Sequence, residues 1–409
     1  MAYGDDRPIG RRVAYWRGRR GWNQQQLADA LGKSKSWVDK VERGVRDLNK
    51  VDVLNDLAAT LRIDVARLTG VVSASVNPAG AVRVGPAVAD IGSVLARYDV
   101  PLTPGARQRI WSPVDLGKAV EHSWLSLHYG HYDRLLRDLP RLLAEAQRYR
   151  AVHRDPAAAR LLGQAYQVAA TVLRKIGEHH LAWLAADRGM AVSADADDPL
   201  LAARAAVPLG GVVGDVGLPR RAVETCLAIA HGMAPADPLD AGPEHLSVYG
   251  CLLLQAAMGA AHDGDERCAD DLLEQAAEAA GRVGDGHDHY WTAFGPGLVG
   301  VARVAADVEL GRAEVAVAGH QEMTSQPGYQ QLPPGHRADH QVDAARGYAH
   351  VGDLTAAGRA LLEADRIAPA EVRVRPVARE VLRTLLLRSV RPEPLVAALA
   401  EAVGVDGAG

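Results

Sequence analysis

The residues best suited to chemistry lie near the N-terminus, in the run Ser34-Lys35-Ser36-Trp37-Val38-Asp39-Lys40-Val41-Glu42-Arg43. On a helix, Val38 and Val41 share one face, while Lys35, Ser36, Asp39 and Lys40 share the opposite one. A helix that enters the major groove of DNA needs polar side chains on that face, long ones toward its N-terminal end, to reach base edges. Ser34 at the cap and Arg43 at the end extend the same surface. Gln24 opens the preceding helical run, where a side-chain amide and a backbone N–H can meet a phosphate. The competing reading is a helical bundle whose polar face is only solvated.

Those side chains need a scaffold of short helices, and the sequence carries its punctuation. Ile9, Val13 and Trp16 recur at helical spacing, and Gly21 stops that run. Asn23 is a natural cap for Gln24 to Leu31, which Gly32 ends; Ser34 caps Lys35 to Arg43, which Gly44 ends. Val38 and Val41 then face Leu27, Ala28 and Leu31, the layout of a helix-turn-helix. The ordered string Asn23-Gln24-x-x-Leu27-Ala28-x-x-Leu31-Gly32-x-Ser34-x-x-x-Val38-x-x-Val41-Glu42-x-Gly44 is followed by a helix from Val51 to Leu61. It resembles the phage-repressor (Cro/C1-like, XRE) helix-turn-helix family.

That resemblance implies a lambda-repressor-like bundle on double-stranded DNA, with Gln24 on phosphate and Lys35, Ser36 and Lys40 on bases beside Asp39. It also implies a buried ion pair between Arg17 and Glu42 that ties the first helix to the reading helix. Trp37 stands where the family has a small polar residue; it packs along the sugar–phosphate backbone or covers the adjoining helix. Lys33 replaces a small apolar residue and adds charge.

Charge is divided along the chain. Residues 1–70 carry fourteen Lys/Arg against nine Asp/Glu, and the remainder thirty-two against forty-one, so a basic head precedes an acidic body. The 409 residues exceed one ordinary core, and a composition 48% hydrophobic and 23% charged, rich in Ala and Leu with one Phe, favours packed helices. Cys226, Cys251 and Cys268 show no metal spacing, suit a reducing compartment and read as buried helix residues. The N-terminus lacks the apolar core of a signal peptide, and the stretch 249–261 is too short to span a bilayer. A cytoplasmic protein without membrane contact is expected.

Enzymatic constellations are not visible. His287 and His289 stand two apart without further ligands, and His179-His180 begins a helix. Gly210-Gly211-Val212-Val213-Gly214 lacks the Lys-Ser/Thr of a phosphate loop. The expectation is no enzyme, no cofactor and no metal.

Residues 70–86 lose helical period and collect Gly, Ser, Asn and Pro. We read 1–70 as the DNA-binding head, 71–112 as linker and connecting helix, and 113–409 as a helical-repeat domain for sensing and dimerisation. In the body Gly130, Gly177, Gly217, Gly264, Gly311 and Gly352 align at spacings of 47, 40, 47, 47 and 41. Leu135, Ala182, Ala222, Ala269, Ala316 and Ala357 follow them by five, and Ser123, Ala170, Gly210, Ala257, Val304 and Ala345 precede them by seven. A glycine supplies the left-handed turn between two helices, and small neighbours let those helices cross closely, which gives a solenoid of stacked hairpins.

The glycine-to-alanine offset resembles the tetratricopeptide repeat, with a period longer than its usual length of about 34 and Pro369 where that repeat often ends. Trp291-Thr292-Ala293-Phe294-Gly295-Pro296, Val308-Glu309-Leu310-Gly311, Leu332-Pro333-Pro334 and Ala364-Asp365-Arg366-Ile367-Ala368-Pro369 resemble actinobacterial regulators that join such a head to tetratricopeptide-like repeats. The resemblance implies an all-α, signal-responsive transcriptional regulator laid out like the peptide-sensing quorum regulators.

In such a solenoid the first helix of each hairpin lines the concave face, so positions thirteen, ten, six and three before each glycine point inward. These include Trp124, Gln164, Gln167, Thr171, Arg174, Arg204, Met258, Asp339 and Arg346, with Trp291 and Phe294 further back. Aromatic surface mixed with Gln, Arg and Asp suits a small molecule or peptide having an apolar body and a few polar or anionic groups. Two alternatives stay open: a wet groove whose arginines pair with neighbouring acids, and a platform for a protein partner. One head reads few base pairs, so a homodimer on an inverted-repeat operator is expected.

Overall fold

The computed structural model describes residues 8–46, 48, 51–61, 63, 68, 85–97, 111–233, 241–389 and 393–405. The described residues are helical and contain no strand. The head comprises α1 (Ile9–Arg19), α2 (Gln24–Ala30), α3 (Lys35–Glu42) and α4 (Val51–Leu61). Then come α5 (Gly85–Leu95), α6 (Pro113–His128), α7 (Tyr132–Val152), α8 (Pro156–Lys175), α9 (His179–Ser193), α10 (Pro199–Arg204), α11 (Ala206–Asp215) and α12 (Pro219–Gly232). Next are α13 (Pro243–Asp263), α14 (Glu266–Val283), a 3-10 turn His289–Trp291, α15 (Pro296–Glu309), α16 (Ala313–Thr324) and α17 (Pro327–Gln331). The body ends with α18 (Pro334–Val351), α19 (Leu354–Ile367), α20 (Pro369–Arg373), α21 (Pro376–Arg388) and α22 (Pro394–Val403).

Proline starts many of these helices because its missing N–H is unpaired in a first turn anyway, as at α6, α8, α13, α15 and α18. Pro369, expected at a repeat end, occupies the first turn of α20. The aligned glycines stop the first helix of each hairpin: all six have φ between 69° and 90°. Such values favour a residue without Cβ. The small residues five after and seven before them are buried, so the paired helices approach closely. Gly210 shows how closely, because a Cβ there would lie 2.4 Å from Cys226 Sγ. The Gly210–Gly214 run is therefore helix packing inside α11. Cys226 and Cys251 are buried, whereas Cys268 is half-buried in the first turn of α14.

Helix α5 joins the body. Val88, Ile91, Val94 and Leu95 pack into the same core as α6 to α9, and Gln147 donates to the Val94 carbonyl at 3.3 Å. Much of the stretch expected to connect the two parts, 69–84 and 98–110, lies outside the described residues.

The hairpin array also bends back on itself. Glu371 on α20, with no exposed surface, accepts from Tyr132 of the first hairpin and Lys175 of the second, at 2.7 Å for Lys175. Lys175 reaches Asp339 of α18 at 2.9 Å, and Arg375 pairs with both Glu371 and Asp339. Pro376 closes on the Gly177 turn and Ala368 on the Gly130 turn.

Removing one partner of a buried ionic cluster leaves uncompensated charge, typically at about 3–5 kcal/mol. Glu371→Ala is therefore expected to lower the urea midpoint of the body steeply by circular dichroism, while Arg366→Ala, an exposed control, leaves it near wild type.

Candidate functional site

Local hydrogen bonds hold α2 and α3 in register. The Asn23 side chain accepts from the Gln25 and Gln26 backbone N–H at 2.9 and 3.0 Å, and the Gln26 side chain accepts from the Asn23 N–H at 2.8 Å. This reciprocal capping satisfies donors that a helix start leaves unpaired. Ser34 Oγ accepts from the Trp37 N–H at 3.1 Å, so this hydroxyl caps α3. Val38 and Val41 bury against the Leu27 and Ala28 side, and Lys35, Ser36, Lys40 and Arg43 remain exposed. Asp39 pairs with Arg43 at 2.7 Å, leaving Lys35 and Lys40 as the charged ends of the outward face. Trp37 packs half-buried against the head core with the Arg46 guanidinium 5.9 Å from its ring, so the indole covers the bundle.

Glu42 is the anchor beneath this face. It accepts from Arg17 Nε at 2.5 Å, Arg17 Nη2 at 3.1 Å and Gln24 Nε2 at 2.8 Å, with its own side chain 6% exposed. Arg17 Nη1 also donates to the Trp22 carbonyl at 2.6 Å. The Arg17–Glu42 pair thus joins α1 to α3, and the Gln24 amide, expected on phosphate, is held by the same carboxylate.

A second region of interest lies in the body, at a cleft of about 220 Å³ lined by Trp124, Gln164, Gln167, Asp198, Leu201, Tyr290 and Trp291. Trp124 and Trp291 stack within 7° of parallel, their ring centres 6.0 Å apart. Trp124 Nε1 donates to Gln164 Oε1 at 3.2 Å, and the buried Arg204 places its guanidinium 4.9 Å from the Trp124 ring. Four of the inward positions named from sequence, Trp124, Gln164, Gln167 and Trp291, meet here, with Arg204 behind them.

The other inward positions do different work. Arg174 pairs with Asp215 at 3.1 Å, Arg346 with Glu309 at 2.8 Å, and Asp339 belongs to the cluster around Glu371. At these places the charged side chains pair with one another, as the ion-paired alternative expects. Thr171 Oγ1 donates to the Gln167 carbonyl at 2.8 Å, and Met258 is half-buried against the core of α13 and α14. Phe294 is spent on that core: a Cβ on Gly250 would lie 1.9 Å from its ring. Asp198, Leu201 and Tyr290 were not foreseen; only the Asp198-Pro199 helix start was a visible signal.

Histidines crowd this interior. His128 pairs with Asp288 at 3.3 Å and sits edge-on to Trp124, Trp291 and His336. Burial, then the nearby His128 and Lys175, pushes His336 down to about 3; burial and His320 push His340 down to about 3. Burial and Asp339 raise Asp343 to about 6. As pH falls below the ordinary histidine value of 6.5, the unfolded chain takes up protons that these two folded imidazoles refuse. Asp343, protonated more readily in the folded state, offsets one of them below about 6. The body should therefore lose stability from pH 6.5 downward, read as a falling urea midpoint, and His336→Asn with His340→Gln should flatten that slope.

Glu42→Ala leaves Arg17 and Gln24 without their shared acceptor. Arg17 retains some solvent access, so the cost should fall toward the low end of about 3–5 kcal/mol, still large for a small head. Calorimetry is expected to show loss of the head's transition with the body's unchanged.

Residues 8–69 match the family model described as a helix-turn-helix domain. The HTH-type transcriptional regulator SlrR of Bacillus subtilis (strain 168) is 40% identical over 60 residues, 15% of this chain and 40% of that relative. The chain therefore matches well under half of SlrR's length. The crystal structure of Bacillus thuringiensis PlcR in complex with the peptide PapR7 and DNA aligns over 77% of this chain and 92% of that one, at 15% identity and a TM-score of 0.33. The N-terminal head is a helix-turn-helix domain.

Proposed function

We propose that this protein is a sequence-specific transcriptional regulator whose helical body senses a small molecule or peptide and alters operator binding. The carrying observation is the outward face of α3: Lys35, Ser36 and Lys40 stand exposed on a helix that is capped, packed and braced through Glu42. A polar helix start so presented fits a major groove. Residues 1–70 act as the head, 71–112 as the connector, and 113–409 as the sensing and dimerising part. Two heads on one duplex supply the affinity that one lacks, so the operator is an inverted repeat.

Head and body are in contact, which gives sensing a route. Tyr15 Oη and Arg19 Nη1 donate to the Gly264 carbonyl at 3.2 and 3.0 Å, Arg19 pairs with Glu266, and Trp16 packs at the Gly311 turn. Helix α14 starts at Glu266 and ends at Val283, shortly before the loop that carries Tyr290 and Trp291 into the cleft. Its 18 residues make a rod of about 27 Å between cleft loop and head. A ligand that favours one cleft arrangement shifts the head only through differential affinity for the two states.

Selection from random duplex oligonucleotides is expected to enrich one inverted repeat, and absence of any enriched motif would refute sequence-specific reading. Lys35→Ala and Lys40→Ala should each weaken the selected site by about 1–3 kcal/mol and relax base preference, whereas Gln24→Ala weakens all sequences alike.

A further inference from the structure

The seat of the head on the body holds an angle as well as a contact. At one hairpin turn the Gly264 carbonyl accepts from Tyr15 Oη at 3.2 Å and from Arg19 Nη1 at 3.0 Å. Beside it Arg19 pairs with Glu266, the first residue of α14. At the next turn a Cβ on Gly311 would lie 3.5 Å from Trp16 and 3.6 Å from Ile63, so both side chains pack onto it. Contacts at two separate turns resist rotation as well as separation.

Both sides of the seat are ordered by their own bonds. The Gly264 N–H donates to the Ala261 carbonyl at 3.1 Å and the Asp265 N–H to the Ala260 carbonyl at 2.9 Å, while Asp265 caps α14 through the Cys268 N–H at 3.1 Å. On the head, Arg19 also donates to Tyr15 Oη at 3.1 Å. Its guanidinium lies 5.8 and 5.4 Å from the Tyr15 and Trp16 rings, which stand edge to face. Groups held in place beforehand lose little freedom on meeting, so their contact resists displacement.

The seat leaves the reading face clear. Lys35, Ser36, Lys40 and Arg43 are exposed with the body in place, and the Arg17–Glu42 pair ties α3 to α1. Two seated heads in a homodimer therefore present their reading helices at one separation and one rotation. DNA turns once in about 10–10.5 base pairs over about 34–36 Å, so one added base pair rotates a half-site by about 35° and shifts it by about 3.4 Å. Hydrogen bonds of 3.0–3.2 Å do not survive displacements of that size. At a wrong spacing the second head stays off the DNA or leaves its seat, and the avidity of the pair is lost.

Building on the DNA-reading role proposed above, we infer that the Arg19–Glu266 pair and the Tyr15–Gly264 contact determine half-site spacing. The seated head accepts one separation of inverted half-sites. Breaking the seat abolishes that discrimination and leaves recognition of each half-site intact.

The test uses the full chain and the selected half-site, alone and as an inverted pair at spacings across about 20 base pairs, two helical turns. Wild type is expected to bind one spacing at least ten-fold tighter than spacings two or three base pairs away. Glu266→Arg, which sets like charges together at Arg19 on an exposed helix start, should cut this ratio below about three-fold. Its affinity for the single half-site should stay within about two-fold of wild type, whereas a merely structural loss would weaken single and paired sites alike. Arg19→Glu combined with Glu266→Arg restores opposite charges and should discriminate more sharply than either single variant. An unchanged spacing profile in Glu266→Arg, or a double variant no sharper than the singles, overturns the inference. So does a wild-type chain that reads the half-site but binds all spacings alike, and in these three cases the DNA-reading role stands. Absence of any selected half-site overturns that role, and the inference with it.

Discussion

The body depends on a buried meeting of charges that lie far apart in the chain. Hairpin arrays are close to one-dimensional: each unit touches its neighbours, and nothing local dictates where the ends go. Here Glu371, fully buried, receives Tyr132 and Lys175 from the first two hairpins, and Arg375 and Asp339 complete the cluster. Desolvating these groups is expensive, and hydrophobic replacements often serve stability as well. What charge adds is intolerance of error. A slipped packing strands Lys175 or Glu371 without a partner in a dry interior, so the alternatives cost far more than the native closure.

Closure dictates what the inner faces of the first helices contain. Enclosed polar side chains must find one another: Arg174 pairs with Asp215 and Arg346 with Glu309 and Asp343, while His340 is met at 2.8 Å by His320 of α16. A cleft survives where aromatic rings replace this pairing, between Trp124, Tyr290 and Trp291. Rigid flat walls cannot collapse on each other as flexible charged chains do. The contrast between Arg174 and Trp124, both inward positions by spacing, is a contrast in whether the side chain can satisfy itself.

What the sequence disclosed follows the range of the interactions responsible. The head was legible in detail because caps, glycine stops and i, i+3 apolar pairs act within a few residues: Asn23, Ser34, Val38 and Val41 do what their types require. The six hairpin turns were legible for the same reason, since a left-handed glycine and small flanking residues mark each one. The Arg17–Glu42 pair came through family resemblance and stands as expected. The closing cluster was hidden, because Tyr132 and Glu371 are 239 positions apart and no local pattern pairs them. Tyr290 and Asp198 were hidden for a different reason: their side chains converge through a strained non-glycine loop, which spacing rules assume away. Asp339 and Phe294 had the right register and the wrong surroundings, one in an ion cluster and the other in the core.

The hairpin turns carry a further consequence for how the two parts communicate. A left-handed glycine leaves its carbonyl uncovered, and at Gly264 that carbonyl is taken by Tyr15 and Arg19 of the head. A Cβ there would lie 2.1 Å from Tyr15 Oη, so the same missing atom that permits the turn also permits the docking. Gly311, the next turn, receives Trp16 and Ile63. The head thus rests on two successive turns, whose separation is set by the stacking of α13–α14 on α15–α16. Any change in stacking angle between those hairpins alters the seat of α1, and α1 is tied through Arg17 and Glu42 to the reading helix. Coupling through rigid helices and two polar seats requires no melting of either domain. It requires only that these two hairpins, which contribute no residue to the cluster around Glu371, have two packings of similar free energy.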